Sequence, residues 1–287
     1  MPDIRPGQVL VETLLSAVSI GSELATYLGS EPERLPCTLG YQTLGRVVEA
    51  GEGTMLSLGD RVVTTCGHTS AAVLEAGLCL PIPEHVPDHA AMAAILGEET
   101  HKGIRKVVPL PHERVLVAGA GLLGLLTVFN LTRRGVMQVS VLEPDPSRRE
   151  LALAFGAQTA APGGLNADDF DVGFECSASP AGFTELLEHL RPGGRACVLS
   201  DGNWGTLSLP PAFHQRELSL TASSDGADYA EYANWLWAHP DPLLARLYGQ
   251  SVTPDSLIGT YAQLQSLPRP VSLVVDWQRH GLPATAD

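Results

Sequence analysis

The run Val115-Leu-Val-Ala-Gly119-Ala-Gly121-Leu-Leu-Gly124-Leu-Leu126 decides the fold. Four apolar residues lead into a Gly-x-Gly-x-x-Gly turn, and apolar residues continue beyond it at helical spacing. The three glycines alone are a weak signal. Placed directly after an apolar strand and opening a helix over 122–134, they match the context of a dinucleotide-binding turn. Gly119 permits the tight bend. Gly121 lets a pyrophosphate approach the backbone, and Gly124 lets the helix pack closely on the strand. The amides of Gly121, Leu122 and Leu123, at the positive end of the helix, suit phosphate oxygens.

Working outward, strands and helices alternate. The strand 139–143 ends at Glu143, 24 residues after Gly119. A carboxylate there can accept hydrogen bonds from ribose hydroxyls and repels a 2′-phosphate, which favours NAD over NADP. Arg148 and Arg149 keep NADP open, because a guanidinium suits a 2′-phosphate. Further strands are expected at 171–176 and 196–199, with helices at 146–155 and 183–190. This alternation predicts a parallel, doubly wound α/β sheet. The first hundred residues differ. Short β-rich runs at 9–15, 45–50 and 59–65 are broken by Gly and Pro, as in an all-β unit. A helix is expected at 89–96, capped by Asp88. The last sixty residues read as helices at 229–239 and near 261–267, then a strand at 272–277.

The whole chain has 287 residues, 44% hydrophobic and 17% charged, with 29 Gly and 22 Pro. Such a composition excludes wholesale disorder. The net charge of −14 argues against nucleic acid or anionic membrane as a partner, since both need a basic face. The partner expected is a small-molecule substrate. Five cysteines without a CxxC pair read as free thiols in a reducing, cytoplasmic setting. No signal peptide or membrane span is expected.

In this order the motifs resemble the medium-chain dehydrogenase/reductase superfamily, the alcohol-dehydrogenase-like proteins. Pro36-Cys-Thr-Leu-Gly40-Tyr41-Gln42-Thr-Leu-Gly45-Arg-Val-Val-Glu-Ala-Gly51 is similar to the family's Pro-x-x-x-Gly-His-Glu-x-x-Gly-x-Val-x-x-x-Gly stretch. Gly59-Asp-Arg-Val, Leu153-Ala-Phe-Gly156-Ala, Asp171-Val-Gly-Phe-Glu-Cys176 and Leu190-Arg-Pro-Gly-Gly194-Arg resemble further family segments. The resemblance implies a GroES-like, mostly-β catalytic domain over 1–97 and 225–287. A Rossmann domain would span 98–224. The family's opening hairpin is expected to be missing or minimal. The resemblance also implies a homodimer joined edge to edge near Leu218–Ala222.

The zinc-binding pattern is where the chain departs. The family's early Gly-Ile-Cys-type turn is here Ser19-Ile-Gly21-Ser22-Glu23. Its zinc-binding His is Tyr41, the following Glu is Gln42, and the four-cysteine lobe is absent. With two catalytic ligands lost together, no catalytic zinc is expected; a set drawn from His68, Glu98, Glu99 and His101 is the alternative. These variants are similar to a zinc-free group that includes bacteriochlorophyllide-type dehydrogenases, whose substrate is not carried over.

Without zinc another acid must serve the substrate oxygen. The candidates are Tyr41, Ser22 and His101, with Glu23 read as a helix cap. Thr100 and Ser200-Asp201-Gly202 are expected beside the cofactor. The expected activity is hydride transfer between a nicotinamide cofactor and a carbonyl or alcohol. An NADPH-dependent quinone or enone reductase and a non-catalytic NAD(P)-binding sensor or scaffold are the rival readings.

Overall fold

The computed structural model describes residues 3–30, 36–166, 169–200 and 205–279. The chain forms two compact units, Met1–Ile95 with Tyr229–Asp287, and Leu96–Asp228. The first unit opens with β1 (Gln8–Ala17), α1 (Ile20–Tyr27), β2 (Gln42–Ala50), β3 (Arg61–Thr64), β4 (Ala71–Glu75), β5 (Leu80–Pro81) and α2 (Asp88–Met92). Val9 and Val11 alternate inward along β1 and pack on Val47, Val62 and Cys79, the period-two burial of a half-buried strand. The helix expected at 89–96 is instead two, α2 and α3 (Ala94–Val107). Asp88 does not cap, because Pro87 holds that position and the Asp88 carboxylate is taken by Arg61.

The second unit carries β6 (Arg114–Ala118), α4 (Leu122–Arg133), β7 (Gln138–Leu142), α5 (Pro146–Ala154), β8 (Thr159–Ala161), β9 (Phe170–Glu175), α6 (Pro180–His189), β10 (Leu190–Val198), α7 (Pro211–Gln215) and β11 (Ser219–Ala222). Its strands are all parallel, in the order β11-β10-β9-β6-β7-β8. Strand addition therefore reverses between β6 and β9. The crevice outside the carboxyl ends of these two strands is where such sheets bind ligands. In β6, Val115 to Ala118 are fully buried, as a strand covered on both faces must be.

The chain then returns to the first unit through α8 (Tyr229–Ala238), β12 (Ser251–Val252), α9 (Leu257–Gln263) and β13 (Val274–Asp276). The sheet there runs β12-β13-β1-β2-β3-β5, with β4 also paired to β1. β13 pairs antiparallel with β1 through Leu15–Asp276 and Ala17–Val274. Val18, Leu24, Tyr261, Leu273 and Val275 share one core cluster, so the two ends of the chain fold together. Trp237 belongs to the core of this unit and donates to Ala90 O at 3.1 Å.

Candidate active site

The glycine turn sits at the end of β6. Gly119 has φ +93°, and a Cβ there would meet Ser177 Cα at 2.9 Å. A Cβ on Gly124 would lie 1.9 Å from Gly119 O. The protein's own backbone thus requires both glycines. Gly121 is different, since a Cβ there would meet no described residue within 4 Å. It occupies the N-cap of α4 without any side-chain cap, and the first-turn amides of a helix lack intrahelical partners. The turn therefore fits a pyrophosphate, with the backbone of Gly121, Leu122 and Leu123 available to hold it.

Glu143 follows β7 and is buried. Its Oε2 accepts from Ala120 N at 2.7 Å and its Oε1 from Asp145 N at 2.9 Å. Each oxygen keeps a second acceptor site, so the side chain both braces the glycine turn and can still serve a ribose. Asp145 caps α5 by accepting from the amides of Ser147 and Arg148. Arg149 donates to the carbonyls of Glu143 and Pro144 at 2.9 and 2.6 Å.

Three other candidates are tied to protein groups. Thr100 is fully buried. It donates to Gly97 O at 2.9 Å and accepts from Asn130 Nδ2 at 2.8 Å, joining α3 to α4. His101 Nδ1 lies 3.1 Å from Glu98 Oε2 and 3.2 Å from Arg105 Nη1. It donates to the first or, as neutral imidazole, accepts from the second. Glu98 also takes Arg105 Nη2 at 2.8 Å and the amides of Ala227 and Asp228 at 3.1 Å. Burial pushes the Glu98 carboxyl up, but His101, those two amides and Arg105 outweigh it and hold it below the usual range. Ser200 Oγ donates to Glu175 Oε2 and accepts from Ala178 N at 3.0 Å. Asp201 and Gly202 lie outside the described residues.

Sequence reasoning missed Glu175 itself. This fully buried carboxylate ends β9 and also accepts from Ser177 N at 2.8 Å and Ser177 Oγ at 2.5 Å. It fixes the loop facing the glycine turn, where Ala178 takes φ +56°. An acidic residue closing an apolar strand was the available signal.

In the first unit, Tyr41 and Ser22 come together. Tyr41 OH donates to Ser19 Oγ at 2.6 Å, and Ser22 Oγ lies 3.1 Å from Tyr41 OH and 3.3 Å from Ser19 Oγ. Ser19 was not singled out as a site residue, and it is the acceptor at the centre of this hydroxyl trio. Glu23 reaches back from within α1 to accept from Ser19 N at 2.7 Å, a capping role at the start of the helix. Its other oxygen accepts from Tyr261 OH at 2.5 Å and contacts His68 Nε2 at 2.8 Å. The Tyr261 hydroxyl is pushed far above the ordinary phenol range, first by burial and then by the Glu23 charge. Ser16 Oγ meets His68 Nδ1 at 2.7 Å and accepts from Trp277 Nε1 at 2.9 Å. Gln42 is fully buried, and neither of its amide atoms has a partner among the described residues.

His68 and the Glu98–His101 pair lie in different units, and each is paired within its own. Among the described residues no three His, Cys, Asp or Glu side chains group to hold a metal ion. Burial raises the thiols of Cys79 and Cys197 to about 11 and Cys176 further, so none is a ready thiolate.

Residues 5–117 match the alcohol dehydrogenase GroES-like domain. The chain is 27% identical over 246 residues to L-threonine 3-dehydrogenase of Pseudoalteromonas atlantica, covering 69% of this chain and 72% of that protein. It is 28% identical over 245 residues to the Streptomyces avermitilis protein of the same name, covering 69% and 71%. These matches support the alcohol-dehydrogenase-like superfamily of medium-chain dehydrogenases and reductases. The fold agrees with solved structures. A Sinorhizobium meliloti protein described as a zinc-binding dehydrogenase and bound to NADP superposes with TM-score 0.84 at 18% identity, covering 96% of this chain and 94% of that one. Acetophenone reductase of Geotrichum candidum in complex with NAD gives 0.81 at 18% identity, covering 96% and 91%. No helix among the described residues is long and apolar enough to cross a membrane.

Proposed function

We propose that the chain is a cytoplasmic, zinc-independent, nicotinamide-dependent oxidoreductase acting on a carbonyl or alcohol group of a small molecule. The observation that carries the cofactor reading is the contrast within the glycine turn. Gly119 and Gly124 are demanded by the protein's own packing, whereas Gly121 borders open space among the described residues at the head of α4. The dehydrogenase names of the relatives and the dinucleotides in the structural neighbours support the same class.

When bound, the nicotinamide dinucleotide supplies or takes up the hydride. Gly121, Leu122 and Leu123 would hold its phosphates through backbone amides, and Glu143 would receive its adenosine ribose. Tyr41, whose O–H rests on Ser19 Oγ, would turn that proton to the substrate oxygen, and the phenolate left behind, hydrogen-bonded by Ser22 Oγ, would regain a proton from solvent. Such acid catalysis contributes about 10²–10⁴-fold. The zinc-independent part rests on the donor set. Zinc takes three or four N, S or O ligands, while the family's ligand positions here hold Tyr41 and a cysteine-free turn. Neighbours described as zinc-binding make this the point to test.

The experiment is NADH oxidation by chelator-treated protein against a panel of aldehydes, ketones, quinones and enones, with metal analysis of the same sample. Turnover at negligible zinc supports the reading. Zinc at one equivalent per chain, with activity lost on its removal, overturns the zinc-independent part; no turnover at all favours a non-catalytic NAD(P) binder.

A homodimer joined through β11 is part of the same proposal. β11 ends the strand order among the described residues, and a strand edge is a template for pairing. A light-scattering mass near the single-chain 30.4 kDa counts against it.

A further inference from the structure

The hydroxyl trio is held from beneath by a second layer of polar groups. The side chains of Glu23 and His68 are 3% and 4% exposed. A buried carboxylate is costly unless hydrogen bonds offset its lost hydration. Here donors come from one local and two distant places: Ser19 N, and His68 Nε2 and Tyr261 OH. A cap alone would need only the first of these and could stand in solvent. His68 is in turn oriented by Ser16, whose hydroxyl takes the Trp277 indole N–H. The network thus runs through β1, α1, the segment after β3, α9 and the turn after β13.

Two contacts connect this layer to Tyr41. The first is at the hydroxyl. Glu23 Oε1 fixes the Ser19 amide at 2.7 Å, and Ser19 Oγ is the acceptor for Tyr41 OH at 2.6 Å. The second is at the backbone. Gly40, with φ +88°, precedes Tyr41, and a Cβ there would lie 2.8 Å from the His68 ring. The Glu23–His68 pair therefore locates Tyr41 at both ends.

We propose that Glu23 is the positioning residue of the Tyr41 hydroxyl, acting through Ser19 and held in place by His68 and Tyr261. The functional meaning of this assignment rests on Tyr41 being the proton donor; its structural content does not. Glu23 touches neither substrate nor cofactor in this role. It fixes Ser19, whose Oγ is the acceptor on which the Tyr41 hydroxyl rests, and so holds the phenol oxygen in place.

The test reads the phenol directly, so its outcome is independent of whether the chain turns over any carbonyl. The full chain is prepared with tyrosine carrying carbon-13 at Cζ, and the Tyr41 resonance is assigned by its loss in Tyr41→Phe. Spectra follow for Glu23→Gln, Ser19→Ala and the double variant. The expected result is a displaced Tyr41 signal in each single variant, with the double variant displaced no further than the larger single one. A folded Glu23→Gln with an unmoved signal overturns the proposal, and so do displacements that simply add. If Glu23→Gln fails to fold, Tyr261→Phe carries the test. It deletes one donor to Glu23 while keeping the ring that stacks on Tyr27 at 5.4 Å. That variant must move the Tyr41 signal in the direction seen for Ser19→Ala; an unmoved signal overturns the proposal. In the wild type, the Ser19 amide should exchange about ten- to a hundredfold slower than an unprotected amide, the size of a hydrogen bond to a charged group. Free exchange there also overturns it.

Discussion

The Glu143 carboxylate accepts the Ala120 amide at 2.7 Å, so the acid that follows β7 braces the glycine turn that follows β6. In Glu143→Gln one oxygen becomes an NH2 group facing a backbone N–H, and the charge is lost. NADH affinity should fall about tenfold or more, as expected for a charge-assisted bond. NADPH affinity should fall less, because repulsion of a 2′-phosphate is relieved. Fluorescence titration of both cofactors measures the ratio. A ratio that stays constant removes Glu143 from ribose recognition.

The glycines of the same turn should separate stability from binding. In Gly124→Ala the new methyl meets Gly119 O at 1.9 Å, and relieving that clash costs about 1–3 kcal/mol or more. Gly121→Ala meets no atom of a described residue within 4 Å and should melt near the wild-type temperature while losing NADH affinity. Thermal melts with and without NADH decide this. Equal melting of the two variants would contradict the assignment of open space to the cofactor.

Tyr41→Phe keeps the ring and deletes the hydroxyl that Ser19 accepts. On the proposed reading, NADH-dependent carbonyl reduction falls by about 10²–10⁴-fold. The Kd for NADH is unchanged, since the residues assigned to the cofactor belong to the other unit. Single-turnover NADH oxidation, paired with cofactor titration, provides both numbers. Full activity in this variant would place the acid elsewhere.

The glycine turn was legible because its signal is local. A strand, three glycines, a helix and a following acid lie within one short window, and two of the glycines, Gly119 and Gly124, have steric reasons of their own. The hydroxyl trio was half legible. Tyr41 and Ser22 stand out by replacing expected residues, yet Ser19 matters only because α1 turns its hydroxyl toward Tyr41. His68 meets Ser16 only once β1, β2 and β3 are in register. Tyr261 and Trp277 reach the same cluster from the far end of the chain, and no pattern in a single sequence carries a contact of that separation. β8 escaped notice for the opposite reason. Three residues, Thr159–Ala161, are too few to show a period, and its existence is set by pairing with β7.

Arg195 grips Glu113 with two hydrogen bonds, Nη1 to Oε1 at 2.9 Å and Nη2 to Oε2 at 2.7 Å. Glu113 also accepts from Leu110 N at 2.8 Å, and Arg195 Nε donates to Val107 O at 2.6 Å. The pair locks the chain between α3 and β6 onto β10. Arg195 holds the Glu113 carboxyl below its usual range, against the opposing effect of burial. The unfolded chain therefore takes up this proton at higher pH than the folded one. The stabilisation is complete above the unfolded Glu value of about 4.3 and is lost as pH falls through the lower folded value. Glu98, lowered by His101 and its other donors against burial, acts in the same direction. Glu113→Gln should cost about 1–3 kcal/mol at neutral pH, below a fully buried pair because Arg195 is partly exposed. It should also flatten the fall of stability between neutral and acid pH. Urea unfolding of both proteins across that range measures the difference, and parallel curves would show that Glu113 does not titrate with folding.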